Sequence, residues 1–287
     1  MASGALQRFW SRRFKDLRVI WSSTSGKVGL VITLTLLFVA IFAPLIAPFN
    51  PSITSGPSYA PPTWKHILGT DDVGEDILSQ LIWGTRGSLL VGLAAGAIAT
   101  IFGVGIGLFA GYYTGKLGEG LMRFTDVILV LPLLPLLIVI ASIFPASVWL
   151  VIGTIGLLSW PSMARVIRSQ TLTLKARPFV DASRLSGMND LEIMLRVLLP
   201  NMIPLVVLYS VFAIVTAVVI EAGLDFIGLG SINNLSWGIM LYFALGRNAL
   251  LRGEWWWFIT PGAMIATMGI GFIMLGHGAE KLARIRA

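Results

Sequence analysis

Residues 179–204, FVDASRLSGMNDLEIMLRVLLPNMIP, form a polar island within an otherwise very apolar chain. Gly187 is a natural helix terminator, because glycine reaches the left-handed cap conformation without strain. Asn189 followed by Glu192 is typical of a capping box, in which each residue bonds the other's backbone at the start of a helix. The stretch therefore predicts a helix, a stop at the glycine, and a second helix that runs back into apolar sequence.

The composition around this island is that of a polytopic membrane protein. Of the 287 residues, 56% are hydrophobic and 12% are charged, and the mean hydropathy is +0.83, which excludes an ordinary soluble domain. The chain has no cysteine, which excludes disulfides, thiol catalysis and thiolate metal sites. The net charge of +7 is interpreted as lysine and arginine on the cytoplasmic side of a membrane, with no nucleic acid as partner.

Six apolar stretches are long enough to cross a lipid bilayer, which requires about 20 residues per helix. With both termini cytoplasmic, 17 lysines and arginines fall on the inner side and 4 on the outer side, a strong positive-inside bias. The fold class predicted is an all-α polytopic membrane protein. The predicted organisation is a cytoplasmic basic segment at 1–27, an extracytoplasmic segment at 48–87, a cytoplasmic tail at 277–287, and spans at 28–47, 88–113, 127–144, 147–163, 202–223 and 255–276, the last five forming a core over 88–276.

Two connections between these spans carry further predictions. Residues 116–123 are interpreted as a short turn, and Asp126 as the partner of Arg123 in a local ion pair. A rival span at 226–246 would put the basic C-terminal residues outside the membrane and Asn233 in lipid. This stretch is therefore predicted to be an extracytoplasmic loop with short helices.

The spacing within the polar island resembles a known loop. Asp181-Ala182-Ser183 is followed after three residues by Gly187, after nine more by Val197, and then by Leu199-Pro200. This order is similar to E-A-A-x3-G-x9-I-x-L-P, the "EAA" loop of the membrane subunits of ATP-binding-cassette importers. The resemblance implies a coupling loop over 178–200 that docks on an ATPase subunit. Its implied docking residues are Asp181, Ala182, Ser183, Gly187, Leu199 and Pro200.

Two further blocks have a family pattern. Residues 61–90, PPTWKHILGTDDVGEDILSQLIWGTRGSLL, follow P-P-S-x-x-H-x-L-G-T-D-x-x-G-R-D-x-x-S-R-x-x-x-G-x-R-x-S-L, with Glu75 and Gln80 in place of the usual arginines. Residues 221–238 follow E-A-x-L-S-F-L-G-L-G and then S-W-G, with Asp225 where serine is usual. Both blocks resemble the second permease subunit of the dipeptide/oligopeptide/nickel importer family.

This resemblance implies the type I (MetI-like) permease fold with six transmembrane helices, in the plasma membrane of a prokaryote. It implies a homologous second permease, two ATP-binding-cassette ATPase subunits and an extracytoplasmic solute-binding protein as partners. No stretch fits the phosphate-binding pattern G-x4-G-K-[ST], so we expect the partner subunits to bind ATP and Mg²⁺ and this chain to be no enzyme and to bind no cofactor. A metal site is not expected either, because His66 and His277 lie far apart.

Four residues are candidates for a translocation path or gate. Glu221 and Asp225 share one helix face, and acidic residues at membrane depth are costly and often functional. The alternative is that both sit at the outer mouth, with Glu221 capping backbone or pairing with a basic residue such as Arg86. Pro132 and Pro135 each remove a helix hydrogen bond and are either hinges or fixed kinks.

The solute class stays open at this point. Di- and oligopeptides are what the resemblance implies first, with oligosaccharides and nickel as alternatives for the same machinery. A secondary transporter belongs to a different class and would need buried charges near the middle of its spans, which the third to fifth spans almost entirely lack. The glycines of the second span are interpreted as packing positions rather than pore-lining ones.

Overall fold

The chain folds into a bundle of long apolar helices. The computed structural model describes residues 23–286, so most of the predicted basic segment lies outside the described residues. Five helices or continuous helix pairs are long and apolar enough to cross a membrane, and a bent pair adds a sixth if it counts as one span. The helices are α1 (Thr24–Ile46), α2 (Ile77–Tyr112), α3 (Lys116–Val130), α4 (Leu133–Ile143), α5 (Val148–Ser159), α6 (Pro161–Lys175), α7 (Pro178–Leu185), α8 (Asp190–Phe226), α9 (Trp237–Gly246) and α10 (Trp255–Arg286).

Helix α2 is the axis against which α1, α5, α6, α8 and α9 pack. It begins at Ile77, well before the predicted start of the span at residue 88. The Asp76 carboxylate caps it by accepting a hydrogen bond from the Ser79 N–H at 2.8 Å. The cap and the burial of Ile77 extend the span into a stretch that the sequence pattern assigned to the preceding segment.

Glycines along α2 let two other helices approach closely. A Cβ atom at Gly103 would lie 2.8 Å from the Cβ of Met163 in α6. A Cβ atom at Gly96 would lie 2.6 Å from the Cγ1 of Ile214 in α8. Neither distance leaves room for a side chain, so α2, α6 and α8 pack as one block. The interpretation as packing positions is confirmed for Gly96 and Gly103, whereas a Cβ atom at Gly105 would meet nothing within 4 Å.

The third predicted span is broken in the middle. Helices α3 and α4 meet at an angle of 77°. Leu131 and Pro132 are both extended, and a proline disfavours helical backbone at the residue before it. The proline therefore ends α3 and starts α4.

Two local predictions for this region are wrong. Residues 116–123 are the first part of α3 and not a turn, because Met122 is buried in a cluster with Trp160 and the helix gains this apolar contact. Asp126 does not pair with Arg123. Its carboxylate accepts a hydrogen bond from the Arg165 guanidinium at 2.7 Å, across to α6.

The stretch between α8 and α10 contains no helix long enough to span a membrane, which agrees with the prediction. Its one helix, α9, has ten residues and is fixed to α2 through its first residue, Trp237. The backbone N–H of Trp237 donates to the Ser88 hydroxyl at 3.2 Å, and its indole N–H donates to the Leu81 carbonyl at 3.3 Å. The side chain is fully buried. The connection is therefore held firmly against the end of the bundle at which α2 begins.

Residues 47–76 form a compact segment at that same end. His66 Nδ1 lies 2.9 Å from Asp76 Oδ1, and both side chains are buried. The Asp71 carboxylate accepts hydrogen bonds from the backbone N–H groups of Val73 and Glu75 at 3.0 and 2.9 Å. These bonds close the loop on itself directly before α2 begins.

Candidate coupling surface and membrane cavity

The polar island folds as its pattern predicts. Pro178 occupies the first turn of α7, where its missing N–H is not needed. Gly187 has a φ of +82°, a conformation that only glycine adopts without strain. The Asn189 side chain accepts from the Glu192 N–H at 2.8 Å, and the Glu192 carboxylate accepts from the Asn189 N–H at 3.2 Å. A capping box therefore starts α8 directly after the turn.

Helix α7 has one buried and one exposed face. Val180 is fully buried in a cluster with Ile193 and Leu198 of α8. Asp181 and Ala182 are exposed, as are Phe179, Leu185 and Gly187, with Leu185 91% exposed. Ser183 is half-buried, and its hydroxyl donates to the Phe179 carbonyl at 2.9 Å. The result is a short exposed strip of small and apolar side chains on a fixed base, which we call the α7 strip.

The other two predicted docking residues lie on α8 and not on this strip. Leu199 is half-buried against the cluster that holds Val180, so it supports α7 from below. Pro200 is exposed and lines a groove of about 670 Å³ together with Phe179. The six predicted residues therefore divide into an exposed strip and its support.

A π-helical turn, residues Ile193–Leu198, precedes Pro200. The Leu199 N–H bonds the Met194 carbonyl, five residues back instead of four. Pro200 has no N–H to offer the carbonyl four residues before it, so the wider turn falls where the regular ladder is already interrupted. The regular hydrogen-bond ladder of α8 is therefore interrupted near its start.

Tyr112, the last residue of α2, ties α2 to both sides of the polar island. Its hydroxyl donates to the Asp190 carboxylate at 2.6 Å. Its carbonyl accepts from Lys175 Nζ at 2.5 Å, and the Arg184 guanidinium lies 5.9 Å from its ring centre. Sequence reasoning missed this residue. A tyrosine at the end of an apolar span signals a membrane interface, but it does not reveal a partner 78 residues away.

Charged residues near the α7 strip pair only at the surface. Arg184 lies 3.3 Å from Asp181, and Arg196 lies 3.2 Å from Glu192. Exposed pairs of this kind contribute at most about 1 kcal/mol each. The charges can therefore exchange these partners for others with little loss of stability.

A second feature is a cavity of about 320 Å³ inside the bundle. It lies where the break between α3 and α4 and the junction of α5 and α6 face α8. Leu131 and Leu133, on either side of Pro132, line it, whereas Pro132 and Pro135 do not. Its polar lining includes Ser159, Ser162, Tyr209 and Thr216, and the Ser159 hydroxyl has no hydrogen-bond partner among the described residues. Broken helices at membrane depth are tolerated where they line such a cavity.

Pro135 does not interrupt a helix hydrogen bond. It falls in the first turn of α4, whose N–H groups have no partner within the helix in any case. Pro132 stands before that first turn, at the break itself. The prediction that each proline removes a helix hydrogen bond is wrong for this pair, and Pro132 acts through the bend.

Glu221 and Asp225 lie together at the end of α8, and both are buried, at 2% and 4% exposure. Asp225 accepts a hydrogen bond from the Ser236 hydroxyl, which also caps α9 by accepting from the Ile239 N–H at 3.1 Å. The adjoining cavity has a volume of about 10 Å³, which holds at most one water molecule. In this conformation the Asp225 carboxylate joins α8 to α9, and neither carboxyl group faces a solute-sized space.

The alternative in which Glu221 pairs with Arg86 is not observed. Arg86 is exposed, and its guanidinium lies 5.8 Å from the centre of the Trp83 ring. Glu221 forms no ion pair among the described residues, and its Oε2 atom has no hydrogen-bond partner there. The buried end of α8 therefore holds one carboxylate oxygen without a donor.

Comparison with known proteins adds a family to this geometry. Residues 103–277 match the family described as binding-protein-dependent transport system inner membrane component. A putative peptide permease protein of Brucella suis is 37% identical over 249 residues, which are 85% of this chain and 82% of the relative. The dipeptide transport system permease protein DppC of Haemophilus influenzae is 33% identical over 281 residues, 95% of this chain and 92% of the relative.

A further relative and a solved structure agree with this assignment. The di/tripeptide transport system permease protein DppC of Pseudomonas aeruginosa is 34% identical, covering 91% of this chain and 89% of the relative. The MetNI methionine ABC transporter, solved in inward facing conformations, superposes with a TM-score of 0.59 at 18% identity. The match covers 74% of this chain and 98% of that chain and shows the same fold.

Proposed function

The chain belongs to the family of binding-protein-dependent transport system inner membrane components, and from that premise we propose that it is the translocation subunit of an ATP-driven importer of short peptides. Family membership carries the import function. The peptide solute is supported by relatives that carry peptide or dipeptide permease names along most of their length. None of these three relatives is named for oligosaccharides or nickel, the alternatives from the sequence.

The proposed assembly contains a second permease, two ATPase subunits and a solute-binding protein. ATP and Mg²⁺ are bound by the ATPase subunits. The α7 strip, with Asp181, Ala182 and Gly187, docks on one of them, because it combines exposed small side chains with a base fixed by Val180. Leu199 supports the strip from the cluster beneath it, Ser183 bonds within α7, and Pro200 lines the groove beside it.

The proposed topology places both termini and the α7 strip in the cytoplasm of a prokaryote, and residues 47–76 and α9 outside its plasma membrane. The support is the sequence distribution of lysine and arginine, of which 17 of 21 fall in segments predicted to be cytoplasmic. In the proposed cycle, ATP closes the ATPase pair, the segment 178–200 moves with it, and the two permeases rotate to open outward. Hydrolysis then resets the assembly.

The proposed solute path passes the 320 Å³ cavity beside the Pro132 break. Interrupted helices offer free backbone groups there, and backbone carbonyls and hydroxyls suit an amide-rich solute. Glu221 and Asp225 serve as part of the gate, since Asp225 fixes α9 across the end of α8 and Glu221 is buried one helical turn before it. In this proposal they move with the gate and do not bind the solute.

The test is ATPase activity of the purified assembly in lipid with its binding protein, screening peptides against oligosaccharides. We expect stimulation by peptides, and loss of that stimulation by at least about tenfold in Ala182→Trp, because a bulky side chain on the strip prevents close approach. Ala146→Trp, at an exposed position between α4 and α5, is the control and should retain stimulation. Stimulation by oligosaccharides alone would overturn the peptide assignment.

A further inference from the structure

A second sizeable cavity lies at the end of the bundle opposite the α7 strip. Its volume is about 440 Å³, within the range of small-molecule sites. In the proposed topology it opens outside the membrane. It is bounded by the loop before α2, by the connection that follows α8, by α9 and by the start of α10. Its lining includes Asp71, Asp72, Glu75, Gln80, Ile239, Met240, Phe243, Arg247 and Trp257.

Negative charge predominates in this cavity. The Gln80 amide donates to the Asp71 carboxylate at 2.7 Å and to the Glu75 carboxylate at 2.9 Å. Asp72 lies 2.9 Å from the Arg247 guanidinium. Three carboxylates therefore share a single guanidinium and one neutral amide. Glu75 Oε1 and Asp72 Oδ1 accept no hydrogen bond from the part of the chain that the structure describes.

The electrostatics agree with this shortage of cations. Burial, followed by the neighbouring Asp71 carboxylate, raises the pKa of Glu75. Burial also raises the pKa of Asp71, against the hydrogen bonds that it accepts. A cation placed between the free carboxylate oxygens would relieve this repulsion.

Two buried polar groups beside the cavity have no partner, and they form a separate observation. Glu254 is 8% exposed, and its Oε2 atom has no donor within the described residues. Burial raises the pKa of Glu254, the Arg252 guanidinium opposes this, and the nearby Asp72 carboxylate adds a smaller upward shift. Trp257 lines the cavity at 1% exposure, and its indole N–H has no acceptor among the described residues. The Glu254 carboxylate thus lacks a hydrogen-bond donor, and the Trp257 indole N–H lacks a hydrogen-bond acceptor.

The acidic character is a departure of this chain from the pattern that it resembles. Glu75 and Gln80 stand where that pattern has arginine. Two positive charges are thus replaced by one carboxylate and one amide, both within this cavity. Among the described residues no group of histidines and carboxylates is arranged to hold a metal ion, so the chemistry favours an organic cation.

We propose that this cavity binds the N-terminal ammonium of a short peptide, with Asp72 and Glu75 accepting its N–H groups. The adjoining peptide carbonyl supplies an acceptor for the Trp257 indole, and Ile239, Met240 and Phe243 contact the first side chain. The proposal rests on the proposed function for the identity of the solute. It makes this cavity an outer subsite that selects peptides with a free N-terminus.

The experiment measures binding of trialanine and of Nα-acetyl-trialanine to the complete importer in nanodiscs, without binding protein, by isothermal titration calorimetry. We expect trialanine to bind at least tenfold more tightly than the acetylated form, and Glu75→Gln to remove that preference, since hydrogen bonds to a charged group of this kind are worth about a factor of ten each. Glu119→Gln, an exposed carboxylate on α3, is the matched control and should bind as wild type. Glu75→Arg should abolish trialanine binding.

Equal binding of the two peptides, or an unchanged preference in Glu75→Gln, would overturn the subsite. A fall in affinity for the binding protein alone would also overturn it, because the carboxylates would then receive a basic side chain of that protein. ATP-driven peptide uptake in proteoliposomes tests the import function separately. If peptides are taken up but the free ammonium makes no difference to binding, the import function stands and the subsite is overturned. If binding depends on the ammonium but no peptide is taken up, the import function is overturned and the cavity remains a binding site.

Discussion

The two ends of α8 both carry charged residues, in opposite surroundings. At its start, Asp190 and Arg196 are exposed beside the α7 strip. At its end, Glu221 and Asp225 are buried against α2 and α9. Exposed charges contribute little to stability and can change partners, whereas buried carboxyl groups must be held by the fold. The first end is therefore available to another molecule, and the second holds the chain together.

This difference shows that motif residues need their burial before they can be given a role. Both ends follow a family pattern, and both contain acids near a glycine turn. At one end the glycine turn, Gly187, has open space around it. At the other, the glycine turn is Gly228, and the helix that follows it packs so closely that a Cβ atom at Gly238 in α9 would lie 2.6 Å from the Asp225 Cβ. A substitution should thus affect coupling at the first end and folding at the second.

Gly187→Pro should have the largest effect and act on coupling alone. Proline cannot adopt a φ of +82°, so the turn between α7 and α8 must rearrange. We expect uptake to fall by more than about tenfold while membrane insertion is retained, measured by transport assays and by membrane fractionation. Gly187→Asn, which tolerates this backbone conformation, should retain most uptake. Normal uptake in the proline variant, or loss of insertion, would break the comparison.

Ser236→Ala should act on stability at the other end. It removes both the hydrogen bond to the buried Asp225 carboxylate and the cap of α9. We expect a loss of about 1–3 kcal/mol, seen as a lower unfolding midpoint in detergent. Ser142→Ala is the control, because that exposed hydroxyl bonds only within its own helix. An unchanged midpoint would show that the buried end does not depend on this joint.

Tyr112→Phe sharpens the comparison, since it removes a hydroxyl that links α2 to Asp190 at the start of α8. The polar island should then be held against α2 by about 1 kcal/mol less free energy. We expect solute stimulation of the ATPase to fall several-fold as a result. Tyr59→Phe, in the loop before α2, serves as control. Stimulation equal to wild type in Tyr112→Phe would mean that the strip is held by apolar contacts alone.

Glu75→Gln should have the smallest effect on stability, and its sign depends on pH. Burial in the folded state raises the pKa of Glu75 above its ordinary value of 4.5. The contribution of this group to the free energy of unfolding is therefore greatest below about pH 4.5 and falls as the pH rises through the folded pKa. The glutamine variant escapes this loss. At pH 7 it should be more stable by less than about 1 kcal/mol, because the group is partly exposed, and at pH 4 the difference should vanish. Unfolding midpoints at both pH values measure it, with Glu119→Gln as control.

The sequence predicted what depends on neighbours along the chain. The helix, stop and helix of the polar island follow from Gly187 and the capping box, and the apolar stretches follow from composition. The failures concern contacts between distant residues. Asp126 pairs with Arg165 instead of its neighbour Arg123, because helix packing brings α3 against α6.

The candidate sites show the same limit. Local spacing identified the α7 strip but could not separate its exposed residues from Leu199, which lies beneath. The Tyr112 contact and the burial of Glu221 depend on packing between helices. The periodicity of residues within one helix does not predict such packing. The bend angle at Pro132 could not be predicted from the sequence either, since a proline in a membrane helix predicts an interruption but not the angle between the two halves.

The close contact between Gly96 and Ile214 fixes α8 against α2 partway along its length. The 37-residue helix is about 55 Å long, and Ile214 divides it into arms of about 36 Å on the side of the α7 strip and about 18 Å on the side of Asp225. In the proposed cycle, a rotation of α8 about this contact would move its two ends in opposite directions, and the end near Asp225 would move about half as far as the end near the α7 strip. A large shift at the coupling surface would thus become a small one at the joint between α8 and α9.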